Sequence, residues 1–195
     1  MKKASLFRLL ILSTAVLAGG VRANVNTYYF IGPDSVLAEV VVPDTVFPQA
    51  PDASWRLISI TELHSISLYS PSEYEAMARQ QGNFWTQETD GNTRESGWYV
   101  VGQSGNTKWI VSGGTSERIW YRCWPGRVYV KTELFMDGYQ NPVSAGTANF
   151  DLAYKATIVT WPRSWTDGSV HRWQNKTTHW YGSNWIYLEW QLIYW

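Results

Sequence analysis

Hydrophobic and polar positions alternate in short runs along most of the chain, and turn-forming residues separate the runs. Runs rich in β-branched and aromatic residues that end at Gly, Pro, Asn or Asp are typical of strands. The pattern predicts strands over 27–31, 36–42, 54–60, 63–69, 97–101, 107–111, 118–124, 128–135, 148–161 and 184–195. The intervening residues are predicted to form turns, including a hairpin at 102–106 and a turn at 113–114.

One segment carries the start and stop signals of a helix instead. Ser70 can cap the first turn, Pro71 suits the first helical position, and Glu73 completes a capping box. Good helix formers follow, and Gly82 is a natural stop. The sequence therefore predicts one helix over 70–81, at one end or edge of a sheet.

The fold class follows from the strand spacing. Some ten short strands with Gly and Pro punctuation and a single helix predict an all-β domain. We expect a single antiparallel β-sandwich, immunoglobulin-like or jelly-roll-like, with one short helix. Residues 54–60 and 63–69 are expected to be neighbouring strands, which places His64 in a strand.

The last predicted strand shows which of its faces is buried. Leu188, Trp190 and Leu192 form an apolar face, whereas Glu189 and Gln191 lie on the other face. We expect the first three to be buried and the last two to face solvent. The alternative is a small outer-membrane β-barrel, whose lipid-facing band would then carry Gln and Glu at its centre.

The N-terminus predicts export. Lys2, Lys3 and Arg8 precede a short apolar run, and small residues follow at 21–23, which is the layout of a signal peptide over residues 1–23. The mature domain would span 24–195 with 12 basic and 16 acidic residues. That balance argues against a nucleic-acid partner, which favours a basic surface.

Motifs for catalysis, cofactors and metals are weak or absent. The sequence has no Gly-x-Ser-x-Gly elbow, phosphate-binding loop or His-Glu-x-x-His helix. Cys123, the one cysteine, is expected to be a buried small side chain. A metal site built from Asp167, His171 and His179 matches no zinc spacing. We therefore expect no enzyme activity, no cofactor and no metal.

The strongest functional signal is the aromatic content of the last thirty-five residues, which hold seven of the thirteen tryptophans. Residues 161–176 combine Trp rings with polar residues and are interrupted by Pro and Gly. Sugars stack their C–H faces on rings and offer hydroxyls to polar groups. We predict a carbohydrate site in which rings stack and polar groups bind hydroxyls, formed by Trp161, Trp165, Asp167, His171, Arg172 and Trp173.

A resemblance adds to this prediction. Residues 143–154, Val-Ser-Ala-Gly-Thr-Ala-Asn-Phe-Asp-Leu-Ala-Tyr, precede a His- and Trp-bearing loop. This layout resembles the galabiose-binding P-pilus adhesins, and the chain is similar to the receptor-binding lectin domain of a chaperone–usher fimbrial tip adhesin. The resemblance implies attachment to host glycoproteins or glycolipids from the fimbrium or as a secreted protein. Partners would include a periplasmic chaperone, an usher and other fimbrial subunits.

The sequence departs from that family in two respects. Such adhesins usually carry a second, pilin-type domain, for which no residues follow Trp195, and their receptor domains usually contain a disulfide. We therefore expect either an adhesin without its pilin domain or a free-standing lectin-like domain.

Overall fold

The computed structural model describes residues 24–67, 69–88, 91–119, 124–181, 184–189 and 193–195. The predicted signal peptide, Cys123, Trp190, Gln191 and Leu192 lie outside them. The two helices are α1 (Ile60–Ile66) and α2 (Pro71–Gln81). The strands are β1 (Val25–Ile31), β2 (Leu37–Pro43), β3 (Arg56–Ile58), β4 (Phe84–Glu88), β5 (Thr93–Ser104), β6 (Thr107–Arg118), β7 (Gly126–Met136), β8 (Ser144–Ala153), β9 (Lys155–Val159), β10 (Arg163–Trp165), β11 (Arg172–Tyr181), β12 (Asn184–Glu189) and β13 (Ile193–Tyr194).

The strands form two antiparallel sheets, which confirms the predicted β-sandwich. The larger sheet has the order β3-β1-β2-β9-β6-β5-β4, with β10 beside β6, and the smaller has the order β12-β11-β7-β8, with β13 beside β11. The sheets pack face to face: a Cβ built on Gly114 of β6 would lie 3.0 Å from the side chains of Thr177 and Val130. The described residues therefore form two separate sheets, not the single closed sheet of the alternative interpretation.

Apolar residues fill the space on both faces of the larger sheet. Between the sheets, buried side chains from β1, β2 and β9 meet those of β7 and β8, among them Phe30, Val40, Val130 and Phe150. On the opposite face, Leu63 of α1 and Tyr74 of α2 pack against Trp98. Helix α2 thus covers a sheet face and does not close a sheet end or edge. No helix among the described residues is long and apolar enough to cross a membrane.

Helix α2 forms as predicted. The Ser70 side chain accepts from the Glu73 backbone N–H at 3.3 Å, and the Glu73 carboxylate accepts from the Ser70 backbone N–H at 2.7 Å. Gly82 ends the helix in the left-handed conformation with φ of 74°, which glycine adopts without a Cβ penalty.

The strand predicted over 63–69 is wrong, because residues 60–66 form α1. Its cap is Ser59, whose hydroxyl accepts from the Glu62 backbone N–H at 3.1 Å. Ser59-x-x-Glu62 is the same sequence signal that marks α2. The alternation of polar and apolar residues over this segment is typical of a strand. In α1, however, Leu63 is the one fully buried side chain, and a single helical turn facing the core is enough to bury it. His64 is therefore helical.

Three further predictions fail where long-range packing decides the conformation. Residues 113–114 do not turn but continue β6, and the Trp98 indole occupies the space that a Cβ at Gly113 would fill. The polar stretch 83–96 contains β4, which pairs with β5. The run predicted over 148–161 divides at Tyr154, where the chain passes from the smaller sheet to the larger one.

The described part of the last strand agrees in its alternation with the predicted parity. Tyr187 is 67% exposed, whereas Ile186 and Leu188 are half-buried. Leu188 is thus less buried than expected. The described residues of this segment, 184–189 and 193–195, contain two strands, β12 and β13, and both pair with β11.

Candidate functional site

A groove opens at one end of the space between the two sheets. Strand β10 supplies one wall as an extension of the larger sheet beside β6, and the end of β7 and the start of β11 supply the other. The groove has a volume of about 490 Å³ and is lined by Met136, Val143, Arg163, Ser164, Trp165, His171 and Trp173. This volume lies in the range of small-molecule sites, about 300–1,000 Å³.

Three of the six predicted site residues come together in this groove. The Trp165 ring centroid lies 5.2 Å from that of Trp173 and 5.4 Å from that of His171. His171 directly precedes β11 and exchanges backbone hydrogen bonds with Trp195, so its side chain shares the inward face of Trp173, two positions on. The three rings form an aromatic wall with a polar nitrogen-bearing edge.

Trp173 does not have the surface role that the sequence predicted. Its side chain is only 2% exposed and packs with Tyr99, Ile110 and Leu134 in the core between the sheets. The polar segment around it suggested exposure, but strand β11 turns this position inward. Trp165 is half-buried and is the ring that the groove leaves accessible.

A chain of hydrogen bonds fixes the loop that precedes β11. Asp167 Oδ1 accepts from the Ser169 hydroxyl at 2.6 Å, and Ser169 Oγ lies 2.8 Å from His171 Nε2. His171 Nδ1 lies 2.7 Å from Asp137 Oδ2, and Asp137 Oδ1 accepts from the Arg172 backbone N–H at 2.8 Å. The loop is therefore tied to the end of β7, which lowers the entropy lost when a ligand binds.

Two donors in this chain follow from the acceptor character of carboxylates. The Ser169 hydroxyl donates to Asp167, and its 2.6 Å contact has the length of a charge-assisted O–H···O⁻ bond. His171 Nδ1 donates to the Asp137 carboxylate.

Asp137, His171 and Ser169 also lie in the order of a catalytic triad, in which the histidine accepts the serine proton. In this structure the Ser169 hydroxyl is also within hydrogen-bond distance of Asp167, at 2.6 Å.

The same hydrogen bonds shift both carboxyl groups. The Arg172 backbone N–H, followed by His171, lowers the pKa of Asp137 below its ordinary value. The Ser169 hydroxyl and backbone N–H lower the pKa of Asp167. Both carboxylates therefore stay ionised across the neutral range.

The other predicted site residues lie elsewhere. Arg172 points to the outer face of the smaller sheet, where it lines a separate depression of about 260 Å³ with Phe135 and Tyr139. Trp161 is 39% exposed and does not line the groove. Asp167 is exposed and contributes through Ser169.

The histidines do not form a metal site. His179 is fully buried between the sheets, and burial lowers its pKa to about 3. It lies eight positions from His171 on β11, which corresponds to roughly 26 Å along an extended strand. Among the residues that the structure describes, no three His, Cys, Asp or Glu side chains are placed to hold a metal ion.

Sequence reasoning missed Arg163, Met136, Val143, Asp137 and Ser169. Arg163 lies within the predicted loop, but choosing it over Arg172 requires the registers of β10 and β11. Asp137 follows the strand predicted over 128–135, and nothing in the local sequence shows that it meets His171, 34 residues away.

Comparisons with known proteins leave the family open. No family model matches the chain, and no curated protein matches it. Among solved structures, it is similar to the crystal structure of a yeast GGA1 GAE domain, with 8% identity and a TM-score of 0.22. The match covers 57% of this chain and 96% of that one. A likeness this slight bears on neither fold nor function.

Proposed function

We propose that this protein binds a carbohydrate in the groove between the two sheets and does not act on it. The observation that carries the proposal is the aromatic wall of Trp165, Trp173 and His171 beside a rim of polar groups. A pyranose ring stacks on such a wall through its C–H face, and its hydroxyls reach the rim.

The polar rim supplies donors and acceptors in fixed positions. Arg163 and Ser164 come from β10 and line the groove, and the loop before β11 places Ser169 within hydrogen-bond distance of the lining residue His171. Trp165 is itself held by a hydrogen bond from its indole Nε1 to the Ser169 carbonyl at 3.0 Å. Because ring and loop are tied together, a sugar binds to a largely preformed surface.

We further propose that the protein is exported and that sugar binding attaches it to host-cell glycans. The support is the signal-like N-terminal sequence and the resemblance of residues 143–154 and the following loop to fimbrial tip adhesins. A shallow stacking site binds weakly, on the order of 1 mM to 1 µM, or about 4 to 8 kcal/mol. Display in many copies would raise the avidity.

The test is glycan binding by the purified chain 24–195 and by Trp165→Ala. We expect the variant to lose affinity by about tenfold or more, because it removes the accessible stacking face. Trp165→Phe should keep most of the binding, since a ring remains.

The matched control is Trp124→Ala. Trp124 is 86% exposed and precedes β7, whose other end reaches the groove. It should leave binding unchanged. The proposal fails if the wild type binds no glycan, if Trp165→Ala binds normally with its fold intact, or if the protein hydrolyses the bound sugar.

A further inference from the structure

Arg163 is an arginine without an ion pair that lines the groove. Of the seven described arginines, four lie within 4.0 Å of a carboxylate and three, among them Arg163, do not. In the described residues Arg163 has no carboxylate within that distance, although its side chain is exposed and lines the groove. One of its N–H groups donates to the Val143 carbonyl, which leaves four of five donors for another partner.

Strand β10 places Arg163 and the stacking ring of Trp165 on one face, and both line the groove. Arg163 pairs with Ile110 and Trp165 pairs with Lys108, so both belong to the same face of β10. Positions two apart on a strand are separated by about 6.8 Å. A pyranose stacked on Trp165 therefore has one edge near the Arg163 guanidinium.

The carboxylates near the groove are already engaged. Asp137 accepts from the Arg172 backbone and from His171, and Asp167 accepts from Ser169. These hydrogen-bond donors of the protein already stabilise the negative charges of Asp137 and Asp167. Arg163 is thus the charged group of the groove that a ligand can still match.

We propose that the ligand is an acidic sugar whose carboxylate is held by Arg163, a conclusion that rests on the proposed function of the groove. A planar carboxylate fits the guanidinium fork through two parallel hydrogen bonds, which a neutral hydroxymethyl group cannot form. The ring of the same sugar stacks on Trp165. Arg163 is then the residue that determines specificity, and Trp165 supplies binding to any sugar.

The test uses oligosaccharides that carry sialic, glucuronic or galacturonic acid, each paired with its carboxyl-reduced derivative. Affinities are measured by calorimetry with the chain 24–195. The wild type should bind at least one acidic member about tenfold more tightly than its reduced partner, since one charge-assisted pair is lost. Added salt should reduce this difference in affinity between the acidic sugar and its reduced partner.

Arg163→Gln should remove the preference for the acidic sugar while retaining binding to the reduced sugars. Arg163→Lys should keep only part of that preference, because an ammonium group cannot form the two parallel hydrogen bonds of a guanidinium. The control is Arg127→Gln, which removes the same charge from the far end of β7 and should keep the preference. Circular dichroism checks the fold of each variant.

The possible failures are distinguishable. Equal binding of acidic and reduced sugars, preference for sulfated sugars without a carboxylate, or a preference that survives Arg163→Gln would overturn the acidic-sugar inference while the groove remains a sugar site. Absence of binding to every sugar, acidic or neutral, would refute the proposed function and this inference with it.

Discussion

At the scale of single residues, two tryptophans that are in contact have different roles. Trp173 lies in the core between the sheets at 2% exposure, whereas Trp165 is half-buried at the groove. Their ring centroids are 5.2 Å apart. The buried Trp173 ring packs against the Trp165 ring. Substitution of Trp173 should therefore reduce stability, whereas substitution of Trp165 should reduce sugar binding.

Trp173→Ala should lower the free energy of unfolding by about 3–5 kcal/mol, the usual cost of emptying a large core site. Urea denaturation followed by circular dichroism measures it. Trp124→Ala, at a site 86% exposed, should change the free energy by no more than about 0.5 kcal/mol. A small effect at Trp173 would contradict its assignment to the core.

His179 makes a second prediction at this scale. Both of its ring nitrogens are buried and have no hydrogen-bond partner among the described residues, and burial lowers its pKa to about 3. Below pH 6.5 the unfolded chain gains a proton that the folded chain does not, so stability falls as the pH drops toward 3. At pH 5 the loss amounts to about 2 kcal/mol.

His179→Leu should therefore raise the free energy of unfolding by about 2 kcal/mol more at pH 5 than at pH 7, because leucine does not titrate. Urea denaturation at the two pH values measures this difference. An equal change at both pH values would show that His179 titrates normally in the folded protein.

At the scale of elements, the contact between α2 and the larger sheet contains two buried glutamates with opposite behaviour. Burial by itself would raise the pKa of Glu75, but Lys155 at 3.0 Å and Arg79 at 2.8 Å hold it below its ordinary value. Burial raises the pKa of Glu39, and the hydrogen bonds from the Ser72 side chain and from its backbone N–H, the latter at 3.2 Å, offset this rise only in part.

These shifts give opposite pH dependences. Glu75 has a lowered folded pKa, so its contribution to stability is present above the unfolded pKa and is lost as the pH falls. Glu39 has a raised folded pKa, so its contribution is present at low pH and is lost as the pH rises through that value.

Glu75→Gln should cost about 3 kcal/mol at pH 7, since it leaves Lys155 without its partner, and clearly less at pH 3. The change in the free energy of unfolding caused by Glu39→Gln should be more favourable at pH 7 than at pH 4. Thermal denaturation across this pH range measures both. Parallel pH profiles for the two variants would refute the assigned charge states.

The elements also show what the sequence could predict. Helix α2 is determined locally by Ser70, Glu73 and Gly82, and all three act as their spacing indicates. The course of β6 through Gly113 is determined by Trp98 on a neighbouring strand, so a local turn signal was misleading. Local chemistry predicts elements, whereas partners distant in sequence decide where strands continue.

At the scale of the whole molecule, the same limit applies to the site. Trp165 and His171 could be predicted, because an aromatic ring in a polar loop near the chain end is visible in the sequence. Arg163 could not be chosen over Arg172, because strand register directs one into the groove and the other to the outer face. The groove is lined by β10 of the larger sheet and by the ends of β7 and β11 of the smaller sheet, which are distant in sequence.

Sugar binding in this groove should change the surroundings of the Trp165 indole. The most direct measurement is the NMR spectrum of the tryptophan indole N–H groups during titration with the oligosaccharide panel, with Trp165 assigned through Trp165→Phe. The Trp165 signal should shift in a saturable manner, because its Nε1 lies at the rim and bonds to Ser169, while the exposed Trp124 signal stays fixed. Shifts confined to Trp124 or Trp180, or no shift with any sugar, would contradict sugar binding in the groove.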